Sequence, residues 1–131
     1  MSGDPFNLAR FVEAQADGVF ERALAELEAG EKRSHWMWFI FPQHRDLGRS
    51  GTAKYYGLGG VAEALAFAAH PLLGARLRAC CAAILPHLQS GKSAESILGP
   101  VDAMKLRSSM EIFAQAQPAE PLFAVVLANV S

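Results

Sequence analysis

The sequence has few of the features that mark secreted, membrane or metal-binding proteins. Its 131 residues include only two cysteines, Cys80 and Cys81, which are adjacent and have no further thiol to pair with. A disulfide framework is therefore excluded, and the spacing does not suit a metal ion. The start of the chain lacks the basic and apolar regions of a signal peptide, and no apolar run approaches the length of a membrane span. These absences predict a protein of the reducing cytoplasm without a membrane partner.

A strong excess of one charge is also lacking. The chain carries 12 Lys and Arg against 13 Asp and Glu, a net charge of −1, whereas nucleic-acid binding requires a clear basic excess. The sequence therefore predicts no nucleic-acid partner. Residues 32–54 nevertheless hold five basic side chains and a single acid, Asp46. This local excess either attracts an anionic ligand or belongs to a solvated loop.

Motifs of familiar catalytic chemistry are missing. The sequence has no glycine-rich phosphate loop, no serine elbow and no His-Glu-x-x-His pattern. His44 and His87 have no acidic or thiol neighbours at the spacing of metal ligands. We therefore expect neither a metal nor another cofactor.

The sequence does contain a series of helical patterns. Hydrophobic residues make up 51% of the chain and charged residues 19%, which provides a core for one domain of this length. Apolar residues recur at helical spacing, with Glu26 on the wet side of one helix, and no strand-like alternation occurs. Helix ends are predicted at Asp4-Pro5, Gly30, His70-Pro71 and Pro86. We expect an all-α fold, a single compact multihelical domain of about six to eight helices, several of them short.

The most unusual stretch is the aromatic segment, residues 34–43, which contains both tryptophans of the chain. It is too apolar for a surface helix and too aromatic for a loop, so we expect a short buried helix that a proline breaks. Trp36 and Trp38 lie about 200° apart on a helix, so one indole can fill the core while the other lines a cleft. His35 and Gln43 would supply polar contacts to a ligand. The alternative is a bulky core segment with His35 bonded to the backbone.

Three further residues are candidates for the same cleft. Tyr56 precedes a glycine-rich turn, and Glu63 is an isolated acid among alanines. If it is buried, such a carboxylate can act as a general acid or base; otherwise it belongs to the solvated surface. Arg76 can hold a carboxylate or phosphate, or pair with an acidic side chain. His70, at a helix start, most simply caps that helix.

A fourth group lies on the helix expected over residues 101–115. Lys105 and Ser109 lie about 40° apart on a helical wheel, with Asp102 nearby. That arrangement places an acid, an ammonium group and a hydroxyl along one border of the helix. Asp102 then either contributes to a site or serves as a helix cap or salt-bridge partner.

Several segments together resemble a known family. They are residues 10–15, 30–32, 34–43, 63–64, 70–77, 97–99, 102–106 and 108–110, with Phe113. The His-Trp-Met-Trp and Phe-Pro-Gln strings are specific, and the likeness covers nearly the whole chain. The sequence is similar to the family called domain of unknown function 1810. This resemblance implies an all-helical fold and no particular reaction.

Taken together, these residues predict a small-molecule binding or enzymatic domain, with a nucleotide-like or glycosidic ligand in an aromatic-lined cleft. The expected ligand-binding side chains are His35, Trp36, Trp38, Gln43, Tyr56 and Arg76, and the expected catalytic ones are Glu63, Asp102 and Lys105. The alternative is a non-catalytic interaction module. In that case an exposed apolar segment, residues 122–130, would form a partner-binding or homodimer surface.

Overall fold

The computed structural model describes residues 3–130 as a set of α-helices joined by short connections. Within that range the helices are α1 (Ala9–Ala14), α2 (Val19–Ala29), α3 (Met37–Ile40), α4 (Gly51–Tyr55), α5 (Val61–Ala69), α6 (Pro71–Gln89), α7 (Ala94–Leu98), α8 (Pro100–Ala116) and α9 (Pro121–Val130). A 3-10 turn, Arg45–Leu47, lies between α3 and α4. The all-α prediction is confirmed. Helix α4 and the turn fall largely within residues 32–54, for which a solvated loop was one of the two expectations.

The core is built around the two longest helices, α6 and α8. Helix α8 packs against α5, α7 and α9, while α6 packs against α2, α5 and α9. The ring of Phe113 on α8 lies 5.5 Å from that of Phe67 and 5.6 Å from that of Phe123, measured between ring centres. All three rings are fully buried. These contacts join α5, α8 and α9 into one hydrophobic core.

Local signals set several helix ends as the sequence predicts. Gly30 ends α2 with φ of 74°, a left-handed conformation that glycine adopts without strain. His70 Nδ1 accepts the amides of Leu72 and Leu73 at 3.1 Å, so His70 caps α6.

Two predicted helix ends are corrected. Helix α1 begins at Ala9 and not at Asp4-Pro5, although the Asp4 carboxylate still accepts the amides of Leu8 and Ala9 at 2.6 and 2.9 Å. Pro86 does not end α6, which continues to Gln89. A proline in the last turn of a helix removes one backbone hydrogen bond and leaves few residues beyond it to disrupt.

The C-terminal segment is only partly the exposed apolar surface that the interaction hypothesis expects, since Val125 is 37% exposed but other residues of α9 are buried. Phe123 and Val126 of α9 are fully buried against α6 and α8. Arg78 also donates two hydrogen bonds of 2.7 Å to the carboxylate of Glu120, just before α9 begins. Nowhere in residues 3–130 is a helix both long and apolar enough to cross a membrane.

Candidate functional site

The aromatic segment forms the short buried helix α3, as the sequence predicts. Trp36, at the start of α3, is only 1% exposed, and its indole Nε1 donates to Glu26 Oε1 at 2.8 Å. Its ring therefore fills the core and cannot face a ligand. This placement corrects the expectation that Trp36 lines a cleft. Trp38 is partly exposed and packs against the edge of the core.

Glu26 holds the beginning of the aromatic segment in place. Its carboxylate accepts hydrogen bonds from the amides of Arg33 and Ser34, from Ser34 Oγ and from Trp36 Nε1. Burial by itself raises the pKa of Glu26, but these hydrogen bonds outweigh burial and lower the pKa to about 2. The sequence pattern placed Glu26 on the wet face of α2, which is wrong because the segment after α2 folds back over it.

Next to this segment lies the lysine–aspartate cluster, which we define as Lys32, Asp102 and Lys105. Lys32 Nζ lies 3.0 Å from Asp102 Oδ2, and Lys105 Nζ lies 3.7 Å from Asp102 Oδ1. The two ammonium groups also face the tryptophans. Lys32 Nζ is 5.2 Å from the ring centre of Trp36, and Lys105 Nζ is 5.1 Å from that of Trp38. Such positions are typical of cation–π contacts.

The cluster settles which role Asp102 plays in the structure. Gly99, and not Asp102, occupies the N-cap position of α8, and no side chain caps this helix. Asp102 instead forms ion pairs, one of the alternatives that the sequence left open. Because two cations share one carboxylate, the cluster carries one positive charge in excess.

Lys105 also lines an open cleft of about 430 Å³, which we call the α8 cleft. One wall comes from residues 43–53 and the other from residues 101–108 of α8. The cleft is lined by Gln43, Leu47, Gly48, Arg49, Ser50, Ala53, Val101, Met104, Lys105 and Ser108. None of these ten residues is acidic, and two of them are cationic.

Polar side chains in the α8 cleft are available to a ligand. Within residues 3–130, the Gln43 amide, the Arg49 guanidinium and the Ser108 hydroxyl make no side-chain hydrogen bond or ion pair. Beside them lie three exposed apolar side chains, Leu47, Val101 and Met104. The cleft therefore combines an apolar surface with free donors and acceptors, which is the usual composition of a small-molecule site.

His35 and Trp38 adjoin the cleft without lining it. The His35 side chain is exposed, and its ring centre lies 6.4 Å from that of Trp38. Trp38 in turn contacts Lys105, which belongs to the lining. The structure thus brings Gln43, Lys105 and, behind them, Asp102, Trp38 and His35 into one region.

Glu63 belongs to a different, buried network. Its carboxylate lies 2.7 Å from Arg10 Nη2, accepts the amide of Gly59 at 2.8 Å and lies 3.9 Å from Arg45 Nη2. Arg10 also donates to the carbonyl oxygens of Tyr55 and Gly57. Glu63 therefore joins α1, the connection before α5 and α5 itself. It shares no partner with Asp102, so the structure does not group these two acids in one site.

Tyr56 and Arg76 also lie apart from the α8 cleft lining. The Tyr56 ring packs against Phe11 and Phe39 at centre distances of 5.9 and 5.4 Å, and burial raises the pKa of its hydroxyl. Arg76 stacks over Phe20 at 4.6 Å and reaches Gln15 Oε1 at 3.4 Å. The expected site residues therefore do not all meet around the two indoles, because Tyr56, Glu63 and Arg76 lie outside the α8 cleft lining.

The serine in the cleft lining is Ser108 and not the expected Ser109, and several other lining residues were not predicted. Ser109 is fully buried in the core, whereas Ser108 faces the cleft. The lining residues of α8 occur at positions 101, 104, 105 and 108, the spacing of a single helical face. That pattern could have identified Val101, Met104 and Ser108. Arg49 lies within the basic stretch that the charge pattern had already indicated.

Comparison with known proteins shows the family of the chain. A model of the family described as protein of unknown function (DUF1810) matches residues 5–130. The fold is similar to the 1.38 Å crystal structure of the conserved hypothetical protein Rv1873 from Mycobacterium tuberculosis, with a TM-score of 0.90 and 49% sequence identity. The match covers 95% of this chain and 87% of that chain. Among curated proteins, none matches. The chain therefore belongs to the DUF1810 family of proteins of unknown function.

Proposed function

We propose that this protein binds a small nucleotide-like or glycosidic ligand in the α8 cleft. One observation carries the proposal. Three polar side chains without partners in the described range, those of Gln43, Arg49 and Ser108, line the same apolar-walled cleft of about 430 Å³. This volume lies within the range of small-molecule sites. Free polar groups in such a cleft give a ligand orientation and specificity, since each can form a hydrogen bond that no protein group already uses.

Each part of the lining suits a part of such a ligand. Leu47, Val101 and Met104 are 54%, 65% and 72% exposed and present apolar surface to a planar ring. A methionine side chain adapts to ring edges and faces. The Gln43 amide can donate and accept at once, which matches the edge of a base or the hydroxyls of a sugar. Of the three residues predicted to be catalytic, Lys105 is the one that lines the cleft.

A thermal-shift screen tests the proposal. The panel contains nucleosides, nucleotides, fragments of NAD, ADP-ribose and neutral glycosides, because a ligand that binds the native state raises its melting temperature. Ser108→Tyr fills the cleft and should abolish the shift of any ligand bound there. Gln115→Tyr places the same ring at an exposed position of α8 outside the lining and should leave the shift unchanged. A panel without any shift, or an equal shift in Ser108→Tyr, would count against the proposal.

The second candidate function is a protein-interaction or homodimer surface. It is favoured by the same exposed side chains, Leu47, Val101 and Met104, because contiguous apolar surface commonly marks an interface. Light scattering during gel filtration tests it. Association that Met104→Glu abolishes would support an interface between copies, and a strictly monomeric wild type would count against homodimerisation.

A further inference from the structure

Resting on the proposed function, we infer that the ligand of the α8 cleft carries a phosphomonoester dianion, and that Arg49 and Lys105 bind this group. The inference concerns the charge of the ligand, which the proposed function leaves open. It depends on how many positive charges face the cleft and on which of them an acidic neighbour already neutralises.

The lining supplies two cations and no anion. Arg49 makes no ion pair within residues 3–130, so its charge is uncompensated by the protein. Arginine presents several donors in a plane and binds phosphate oxygens in pairs. Lys105 presents a compact ammonium charge from the opposite wall. The cleft therefore favours an anion over a neutral or cationic group.

Asp102 does not cancel the charge of Lys105, because Lys32 is its closer partner. The Nζ–Oδ distance is 3.0 Å for Lys32 and 3.7 Å for Lys105. Lys32 is itself held over the ring of Trp36 and does not line the cleft. We therefore regard Lys32 and Asp102 as a neutral pair that positions Lys105.

The charge of the cleft lining suits one class of anion. Lys32 and Asp102 balance each other, which leaves the positive charges of Arg49 and Lys105. A phosphomonoester carries a charge of about −1.5 to −2 near neutral pH, whereas a carboxylate or phosphodiester carries about −1. The dianion matches the two cations. The first amides of α8, which no side chain caps, add a partial positive charge beside Val101.

Calorimetric titration with matched probes tests this inference. Adenosine 5′-monophosphate is compared with adenosine, and ribose 5-phosphate with ribose, in low salt at about pH 7.5 and again at about pH 5, on either side of the second phosphate pKa. Each phosphorylated probe should bind at least about tenfold more tightly than its neutral counterpart at the higher pH, since charge-assisted hydrogen bonds are the stronger kind. This preference should fall at the lower pH and in high salt.

Variants locate the effect in the cleft. Arg49→Gln should weaken binding of the monophosphate by about tenfold and leave adenosine unaffected. Lys54→Gln removes an exposed basic residue outside the lining and should change neither affinity. Lys32→Met should also weaken the monophosphate, because Asp102 then pairs with Lys105 alone. Weaker binding in Lys32→Met would show that Lys32 positions Lys105, whereas unchanged binding would show that Lys32 has no role in binding.

Three results would overturn the inference. The first is equal affinity for adenosine and its monophosphate; the second is unchanged monophosphate binding in Arg49→Gln. The third is binding of a neutral ligand, blocked by Ser108→Tyr, while no phosphorylated probe binds. In that third case the proposed function would stand and only the charge of the ligand would be wrong.

Discussion

Lys32 Nζ lies 3.0 Å from Asp102 Oδ2, in an ion pair whose side chains are 11% and 18% exposed. The pair connects the end of α2 to the first turn of α8, and the amide of Lys32 also donates to the carbonyl oxygen of Ile97 at 2.8 Å. The connection after α2 is therefore joined to the α8 wall of the candidate site by side chains that water reaches poorly. Ion pairs of this kind are screened less than those on an open surface.

We predict that Lys32→Met destabilises the protein by about 1–2 kcal/mol, because Asp102 loses its nearer partner in a poorly solvated position. The free energy of unfolding, measured in urea, checks this value. Lys54→Met is the matched control, since Lys54 is exposed and its side chain makes no hydrogen bond or ion pair in the described range. Equal stability of the two variants would show that the pair contributes nothing.

Glu26 gives the protein an acid-sensitive element. Its pKa is lowered to about 2 from an ordinary value of 4.5, since hydrogen bonds to the carboxylate outweigh burial. A carboxyl group whose pKa is lower in the folded than in the unfolded protein stabilises the fold at pH values above its unfolded-state pKa. That stabilisation is lost as the pH falls toward its folded-state pKa. Between about pH 4.5 and pH 2 the wild type should therefore lose stability more steeply than Glu26→Gln.

Thermal unfolding at a series of pH values measures this difference. Glu28→Gln is the control, because Glu28 is an exposed neighbour on the same helix whose carboxylate makes no bond within residues 3–130. It should follow the wild-type pH profile. A Glu26→Gln profile parallel to that of the wild type would contradict the prediction.

The Arg10–Glu63 pair should be the costliest ion pair to break. Both side chains are about 5% exposed, and Arg10 donates to four carbonyl oxygens as well as to Glu63. Arg10→Met leaves the buried Glu63 carboxylate with the more distant and exposed Arg45, at 3.9 Å, as its cationic neighbour. Removing one partner of a buried ion pair costs about 3–5 kcal/mol. Arg22→Met, at an exposed position of α2, should cost less than about 0.5 kcal/mol. The free energies of unfolding of both variants, measured in urea, check these two values.

The two cysteines should be inert in the folded protein. Burial raises the pKa of the Cys80 thiol to about 12 and raises that of Cys81 as well. The thiolate is the reactive form, so both groups should react slowly with a disulfide reagent under native conditions and rapidly in denaturant. A fast native reaction would show that α6 opens far more readily than its burial indicates.

The helices could be predicted because their signals are local. Apolar spacing along α6 and α8 and the caps at Gly30 and His70 depend on neighbours in the chain. Glu26 shows the limit of this reasoning. The apolar pattern of α2 predicts that Glu26 faces solvent. Its carboxylate is buried and hydrogen-bonded only because residues 33–36 fold back over the helix.

The candidate site was predicted in part for the same reason. Asp102 and Lys105 are one helical turn apart, so their proximity follows from α8 alone. Lys32 and Arg49 approach them from distant parts of the chain, which no helical spacing encodes. Glu63 was grouped with them by residue type, and its actual partner, Arg10, lies 53 positions away in the sequence.

Gly74 should be essential to the packing of α5 against α6. A Cβ atom at this position would lie 2.2 Å from the carbonyl oxygen of Ala68, a backbone atom that cannot move aside easily. Alanine is the better helix former by about 1 kcal/mol, so propensity alone predicts that Gly74→Ala stabilises the protein. We expect the opposite, a loss of about 2 kcal/mol or more, because overpacking outweighs propensity here. Gly51→Ala in α4, where a Cβ meets nothing within 4 Å, should instead be neutral or stabilising. Urea denaturation that ranks the two variants the other way would show that α5 and α6 do not pack this closely.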